Sequence, residues 1–311
     1  MEQRLQDKIY MYSKYLKRRF GRKVFRVGLS LGYECPHRKD NSGCIFCRRE
    51  TFTGNYQTQN LSVTEQLNRA VPRIKKTCGN VALLAYFQDE TSTAVPLEVL
   101  KKKFDEAIKY NDVKGIVIST RPDYVNREIA GFLRDYPVPV TVELGMQTIH
   151  DESLSFLNRA HSFEDTERAV DLCGKSGLQV GLHLIMGIPN ETMEDMKDTV
   201  RFISRNKFVN QVKFHNLVAY KGTELGRLVR KGEVELLKID DYIQILCEVI
   251  PYLRGDIVIT RLFTSNVKKT QIAENIEGNK TKWMNKLRML LYKKGIIQGS
   301  ETDVIYSLKQ L

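Results

Sequence analysis

The sequence predicts an α/β protein built on a parallel sheet, and three observations predict it. Seven short apolar runs, rich in β-branched residues, alternate with longer runs of helical spacing. The short runs lack the polar alternation of a one-sided sheet, as strands buried on both faces do. Polar residues, glycines and prolines gather just after the strand-like runs, where parallel sheets carry their chemistry.

The elements follow in order. Residues 3 to 19 carry Leu5, Ile9, Tyr12 and Leu16 at helical spacing and predict one basic helix. The strand-like run Val24 to Leu31 leads into a cysteine-bearing loop. Helix-like Val63 to Lys76, Pro96 to Asn111 and Asn126 to Arg134 precede strand-like Val81 to Phe87, Gly115 to Ser119 and Val138 to Gly145. Two helix-like runs, Asp151 to Asn158 and Ser162 to Ser176, lead to Gln179 to Met186. Thr192 to Asn206 leads to Gln211 to Ala219, and Asp240 to Tyr252 to Asp256 to Leu262. No fixed-period repeat or low-complexity linker interrupts this order. The chain divides into a basic N-terminal helix (1–22), a core (23–265) and a basic C-terminal helical extension packed on the core (266–311).

The 311 residues carry a net charge of +12. Residues 1–30 account for +7 and residues 278–311 for +5, so the body between them is neutral. Basic ends on a neutral body point to a polyanion, since Lys and Arg contacts to phosphate dominate nucleic-acid affinity. Lys14, Lys17, Arg18, Arg19 and Arg22 at one end, and Lys282, Lys286 and Arg288 at the other, are the candidate contacts. Tyr10, Tyr12, Tyr15, Trp283 and Tyr292 are interleaved with them. A lysine-rich solvated surface is the plainer alternative. No apolar run approaches the ~20 residues of a membrane span. The charged start, Met1 to Tyr10, does not read as a signal peptide, so a reducing cytoplasm is expected. Cys78, Cys173 and Cys247 are scattered through regular segments and read as packing residues.

The other three cysteines, Cys35, Cys44 and Cys47, are spaced C-x8-C-x2-C directly after the first strand-like run. Three thiolates in one loop can hold three corners of an iron–sulfur cube and leave the fourth iron open. His37 makes a four-ligand structural zinc site an alternative.

The strand ends carry Ser119-Thr120-Arg121-Pro122-Asp123, Glu143-Leu144-Gly145-Met146-Gln147-Thr148, Asn158-Arg159-Ala160-His161 and Leu184-Ile185-Met186-Gly187-Ile188-Pro189-Asn190-Glu191-Thr192. With the cysteine triplet, these motifs resemble, in order, the radical S-adenosylmethionine (radical SAM) superfamily. The likeness is to its YtqA/YhcC group, related to the Elongator catalytic subunit and to oxygen-independent coproporphyrinogen oxidase. It covers roughly residues 20 to 300. It implies a partial (β/α)6 TIM-like barrel of the radical SAM type with short helical N- and C-terminal extensions.

The resemblance also implies a [4Fe–4S] cluster on Cys35, Cys44 and Cys47, with S-adenosylmethionine (SAM) on the open iron. Reductive cleavage of SAM then gives a 5′-deoxyadenosyl radical that takes a hydrogen atom from the substrate. An electron donor such as flavodoxin or ferredoxin is implied. Phe46 is placed to shield the cluster. Gln147 matches the ribose contact, Arg159 the carboxylate contact, and Ile185 and Gly187 the backbone beside the adenine. Gln88, in the run Phe87 to Thr91, stands in the loop that otherwise holds SAM's amino group, and Ser119 stands at a ribose position. Strand parity aims Glu143, Gly145 and Gln147 into the barrel.

His183, Lys213, His215 and Arg261 are interior candidates for a polar or anionic substrate. Satisfied buried histidines, or an ion pair with Glu143, are the plainer alternative for them. The link to Elongator implies tRNA as partner, with the C5 side chain of the wobble uridine as the reacting group and the base flipped into the barrel mouth. Two other readings stand beside it. One is a radical SAM enzyme acting on a small molecule or peptide; the other is a zinc-stabilised nucleic-acid-binding protein.

Overall fold

A computed structural model describes residues 4–41, 43–57, 60–89, 91–264, 270–272 and 278–304. Seven strands form one sheet: β1 (Val24–Leu29), β2 (Ala82–Phe87), β3 (Val113–Thr120), β4 (Val140–Gln147), β5 (Gln179–Met186), β6 (Val209–Asn216) and β7 (Val258–Arg261). They lie in chain order and every neighbouring pair is parallel. The seven strand-like runs of the sequence are these seven strands, so β7 adds an edge to the six-stranded core implied by the resemblance. The sheet curls into an open half-barrel, with helices on its outer face.

The helices are α1 (Tyr12–Phe20), α2 (Pro36–Asn41), α3 (Val63–Cys78), α4 (Leu97–Ile108), α5 (Arg127–Arg134), α6 (Asp151–Phe156), α7 (Phe163–Lys175), α8 (Met193–Arg205), α9 (Glu224–Arg230), α10 (Ile239–Val249) and α11 (Lys280–Lys293). Capping boxes start three of them, pairing Ser62 with Glu65, Ser162 with Asp165 and Thr192 with Asp195. A main core of Val, Leu, Ile and Phe side chains lies between sheet and helices, with β2 buried along its whole length.

The single helix expected over residues 3 to 19 is broken. Leu5–Asp7 forms one 3-10 turn. Met11 then bridges to Ile259 of β7, and the Ile259 amide donates to the Tyr10 carbonyl at 2.8 Å. Pairing with the sheet edge overrides the helical period, and α1 starts only afterwards. Its end, Phe20, lies just before β1, and it touches both β1 and β7, so it lies across the N-terminal ends of the strands. There Leu16 packs with Leu84, Tyr86 and Val117 to make the floor of the barrel.

At the other end of the chain, Trp283, Leu287 and Leu291 of α11 enter the main core beside α10. The two chain ends meet. The Tyr10 amide donates to Gln298 Oε1 at 2.8 Å, and the Gln298 amide to the Lys8 carbonyl at 3.0 Å. All six cysteines are free. Cys173 and Cys247 are buried, and burial pushes their thiols up to about 12 and about 11. Part of the 266–311 extension lies outside the described residues.

Candidate active site

The cysteine loop leaves the C-terminal end of β1 and is pinned by buried polar groups. Asp89, just past β2, accepts from the Leu31 amide at 2.5 Å, from Ser30 Oγ at 3.0 Å and from Arg49 at 3.2 Å. Gln66 of α3 takes both the amide (2.8 Å) and the carbonyl (2.9 Å) of Ser30. Cys35 Sγ lies 3.1 Å from Thr91 Oγ1. Asp89 and Thr91 are therefore structural members of the run Phe87 to Thr91; its Glu90 lies outside the described residues. Gln88 donates to the Phe52 carbonyl at 2.9 Å and to Gln57 at 3.0 Å, which fixes the loop that follows the cysteines.

The far end of the loop is held from the turn that follows α6. Asn158 donates to the Gly43 carbonyl at 2.7 Å, and its own carbonyl accepts from His37 Nε2 at 2.6 Å. Ile45 and Phe46 pack in a second apolar cluster with Leu157, Ile185, Leu217 and Leu225, so Phe46 both packs and lines the cavity.

Arg159 is buried, donating to Cys44 Sγ at 3.1 Å and to the Gly145 carbonyl at 2.9 Å. Arg38 donates to Cys47 Sγ at 3.1 Å. Burial opposes ionisation of Cys44, but the charge of Arg159 and hydrogen bonding to His37 outweigh it and bring the thiol down to about 7. Reciprocally, Cys44 raises His37. The Arg121–Asp123 pair, at 2.9 and 2.7 Å, donates onward to the Ala160 carbonyl at 2.7 Å. That is the physical job of the Ser-Thr-Arg-Pro-Asp run: it holds the Asn158 to His161 turn on which Arg159 stands.

Backbone strain concentrates here. Gln147, Asn158, Ala160 and Asn190 are the described non-glycine residues with positive φ, at 73°, 51°, 51° and 72°. Gln147 faces the cavity as strand parity expects: Glu143, Gly145 and Gln147 turn to the interior while Leu144 and Met146 enter the core on the other face. The register of β4 against β5 shifts between Leu144 and Gln147, where the backbone turns left-handed. Gly145 makes room for both neighbours, since a Cβ there would sit 2.9 Å from Arg159 Nη2 and 3.1 Å from Gln147 Nε2.

A cavity of about 240 Å³ opens beside the cysteines. Phe46, Cys47, Gln88, Ser119, Gln147, Arg159, Ile185, His183, Lys213 and His215 of the expected site residues line it. Gly187 does not. Its φ is 78°, and the space over its Cα is filled by Leu237, whose Cδ1 would lie 2.1 Å from a Cβ. The glycine serves a turn and close packing by the chain itself, in place of the close cofactor approach expected.

Deeper in the barrel a charged network crosses the sheet. Glu143, fully buried, accepts from Arg26 at 2.5 Å, from His183 at 2.8 Å and from Lys213 at 3.2 Å. Lys213 also meets Tyr86 Oη at 2.8 Å, and Arg26 lies over the Tyr12 ring at 4.2 Å and bonds its hydroxyl at 3.0 Å. Arg26, Lys213 and His183 hold Glu143 well below the usual carboxylate range against the opposing effect of burial. Burial, then Lys213, lowers His183 to about 4. Burial also lowers Lys213, to about 7, with Arg261 and Arg26 assisting and Glu143 opposing. Glu143 thus satisfies a neutral buried His183 by a hydrogen bond and pairs with Lys213. Arg26 and Tyr86 were missed, because nothing in one strand's sequence says which cation on another strand will face it.

The basic ends sit apart from this mouth to different degrees. Lys14, Lys17, Arg18 and Arg19 on α1, and Arg22 just after it, are exposed, but at the barrel's opposite end. Lys280, which starts α11, lies close enough to Arg261 to be lowered by it, after burial. Lys282 is exposed, Arg288 is half-buried and Lys286 is paired with Asp240 at 2.6 Å. The aromatics do not form a stacking platform: Trp283 is in the core, Tyr12 and Tyr15 stack on each other, and Tyr292 bonds Arg4.

Among the described residues, no three His, Cys, Asp or Glu side chains converge on a one-ion site. Nε2 of His37 is committed to the Asn158 carbonyl at 2.6 Å. Three free thiols on one loop, with Arg159 favouring the Cys44 thiolate and Arg38 bonding Cys47, are the donor set of a [4Fe–4S] cluster with one open iron.

An open parallel half-barrel with such a loop after its first strand defines a cluster-dependent enzyme. The chain belongs to the radical SAM superfamily, whose profile matches residues 29–203, and the Radical_SAM C-terminal domain matches residues 209–293. Members of this superfamily bind a [4Fe–4S] cluster and SAM. The chain is 32% identical to protein MJ0486 of Methanocaldococcus jannaschii over 93% of its length and 91% of that protein's. It is 30% identical to YhcC of Escherichia coli K12, covering 95% of itself and 96% of YhcC. It is 31% identical over 220 residues to the tRNA uridine(34) acetyltransferase of M. jannaschii, covering 64% of itself and 40% of that enzyme. In structure it resembles the archaeal Methanocaldococcus infernus Elp3, with TM-score 0.67 at 20% identity, covering 89% of this chain and 64% of that one. No helix among the described residues is long and apolar enough to cross a membrane.

Proposed function

We propose that this radical SAM enzyme modifies tRNA at the C5 side chain of the wobble uridine. The observation that carries the proposal is the 220-residue similarity to a tRNA uridine(34) acetyltransferase. In support, α11 starts with the exposed Lys280 and Lys282.

Cys35, Cys44 and Cys47 would hold the cluster. Arg159, Gln147, Ser119, Gln88 and the backbone at Ile185 would hold SAM. When bound, the two cofactors supply hydrogen-atom abstraction from an unactivated C–H bond. The chain's own work is positioning and exclusion. Arg159 presents its planar fork to a carboxylate while favouring the Cys44 thiolate. Phe46 and Ile45 keep water from the thiolates. Glu143 fixes His183 and Lys213 against the substrate side of the cavity. An electron donor such as flavodoxin or ferredoxin would dock over the cysteine loop, in a cytoplasmic setting. Residues 23–265 would carry the chemistry, and the basic ends 1–22 and 266–311 the RNA.

The placement of α1 away from the mouth favours a second reading, in which the substrate is a small molecule or peptide. One experiment separates the two. The protein is purified anaerobically, its iron and sulfide are measured, and 5′-deoxyadenosine is followed with and without tRNA lacking wobble modifications. About four irons per chain, and deoxyadenosine formation stimulated by that tRNA, is the expected result. Deoxyadenosine without any tRNA effect overturns the RNA reading. Cys44→Ala is expected to abolish both iron and deoxyadenosine; retained cleavage overturns the ligand assignment.

A further inference from the structure

The gap between β1 and β7 opens into the same interior. Tyr12, Arg26, Thr260 and Arg261 line this opening, and it shares Tyr86, Gln88, Lys213 and Arg261 with the main cavity. On the far wall, Lys213 and Arg261 are register partners on adjacent strands, so both face the space. Among the described residues, the half-buried Arg261 guanidinium has no hydrogen bond or ion pair. The one carboxylate in the network, Glu143, is already shared by Arg26, His183 and Lys213. His215 adds no counter-charge; burial and Arg261 hold it neutral. The wall is therefore over-supplied with cations, an arrangement that costs free energy unless a ligand balances it.

We propose that Arg261 and Lys213 form a binding site for an oxyanion of the substrate, a carboxylate or phosphoryl group. Arg261 offers two parallel N–H donors and Lys213 a point charge, a combination that suits two oxygens of one group. In the tRNA reading, the anion is a phosphate next to the flipped base or a carboxylate on the uridine side chain. The site also serves a small acidic substrate. Its test uses neither RNA nor turnover, so the two proposals fail separately.

Lys213 faces Tyr86 on β2, Glu143 on β4, His183 on β5, Arg26 on β1, Arg261 on β7 and His215 on its own strand. Above pH about 7 it is largely neutral. Anion binding then draws in a proton, and affinity falls as pH rises through that value.

The experiment is thermal unfolding of the anaerobically reconstituted protein, with inorganic phosphate or acetate against chloride at matched ionic strength. Phosphate or acetate, whichever fits, is expected to raise Tm saturably and more at pH 6.5 than at 8.5. Which anion acts tells phosphate from carboxylate recognition. Saturating SAM is expected to leave the shift intact. Arg261→Gln is expected to fold, to be no less stable than the wild type without anion, and to lose the shift. Arg261→Lys keeps the charge without the fork and is expected to keep part of it. The exposed Lys102→Gln serves as a control and is expected to change nothing. No saturable shift with either anion, an undiminished shift in Arg261→Gln, or loss of the shift on adding SAM would each overturn the proposal.

Discussion

Arg159 shows how one side chain couples two cofactor jobs. Its guanidinium is the first of the groups that lower the Cys44 thiol to about 7. Removing it as Arg159→Gln should return Cys44 toward the ordinary thiol value of ~8.5 and slow its alkylation at pH 7 roughly tenfold in the cluster-free protein. Iodoacetamide labelling across pH, followed by mass spectrometry on the Cys44 peptide, measures this. An unchanged pH profile would show that His37 alone activates the thiol. Gly145→Ala should move the profile the same way by a smaller amount, because its Cβ displaces Arg159 without deleting it. The resemblance named Arg159 and Gln147 as the carboxylate and ribose contacts of SAM. It did not show that Gly145 clears the space for both, since a glycine's neighbours appear only when the fold is assembled.

Most of the strands were legible in the sequence, because burial on both faces leaves an unbroken apolar run that survives any tertiary arrangement. The failures lie where one element borrows from another. Residues 8–11 follow a helical pattern yet turn away at Lys8 and bring Met11 to the β7 edge, because β7 offers an edge to pair with. The basic period of α1 reads as a nucleic-acid surface, whereas Leu16 on its other side forms the barrel floor. Leu16→Ala should therefore cost about 2–3 kcal/mol, as large-to-small changes in a core do. Urea unfolding of the variant measures that loss. A loss below about 0.5 kcal/mol, typical of a surface site, would mean that α1 merely rests on the sheet.

At the scale of the whole molecule, the interior network ties stability to pH. His183 is held at about 4 in the folded chain, against 6.5 unperturbed. Its contribution is complete above pH 6.5 and is lost as pH falls toward 4. Glu143, also depressed, adds its loss below 4.5. Lys213 works at the other end: its depressed ammonium makes stability climb as pH rises from about 7 toward 10.5. We expect the unfolding free energy to increase from pH 4 to 9, and His183→Gln to flatten the acid part of that curve. Chemical denaturation at a series of pH values tests this. A maximum near pH 5 would show that the network is solvated and inert.

The meeting of the chain's two ends has a consequence for its synthesis. Tyr10 and Gln298 are joined across 288 residues, and Met11 waits for β7. A nascent chain that has emerged only as far as β6 can pair its successive strands, since each neighbour follows the last. Its first segment has no edge to join, and the floor stays unfinished. Closure of the barrel is thus postponed until β7 and Gln298 have left the ribosome, and a chain truncated before them would display the interior of its sheet to every passing hydrophobic surface.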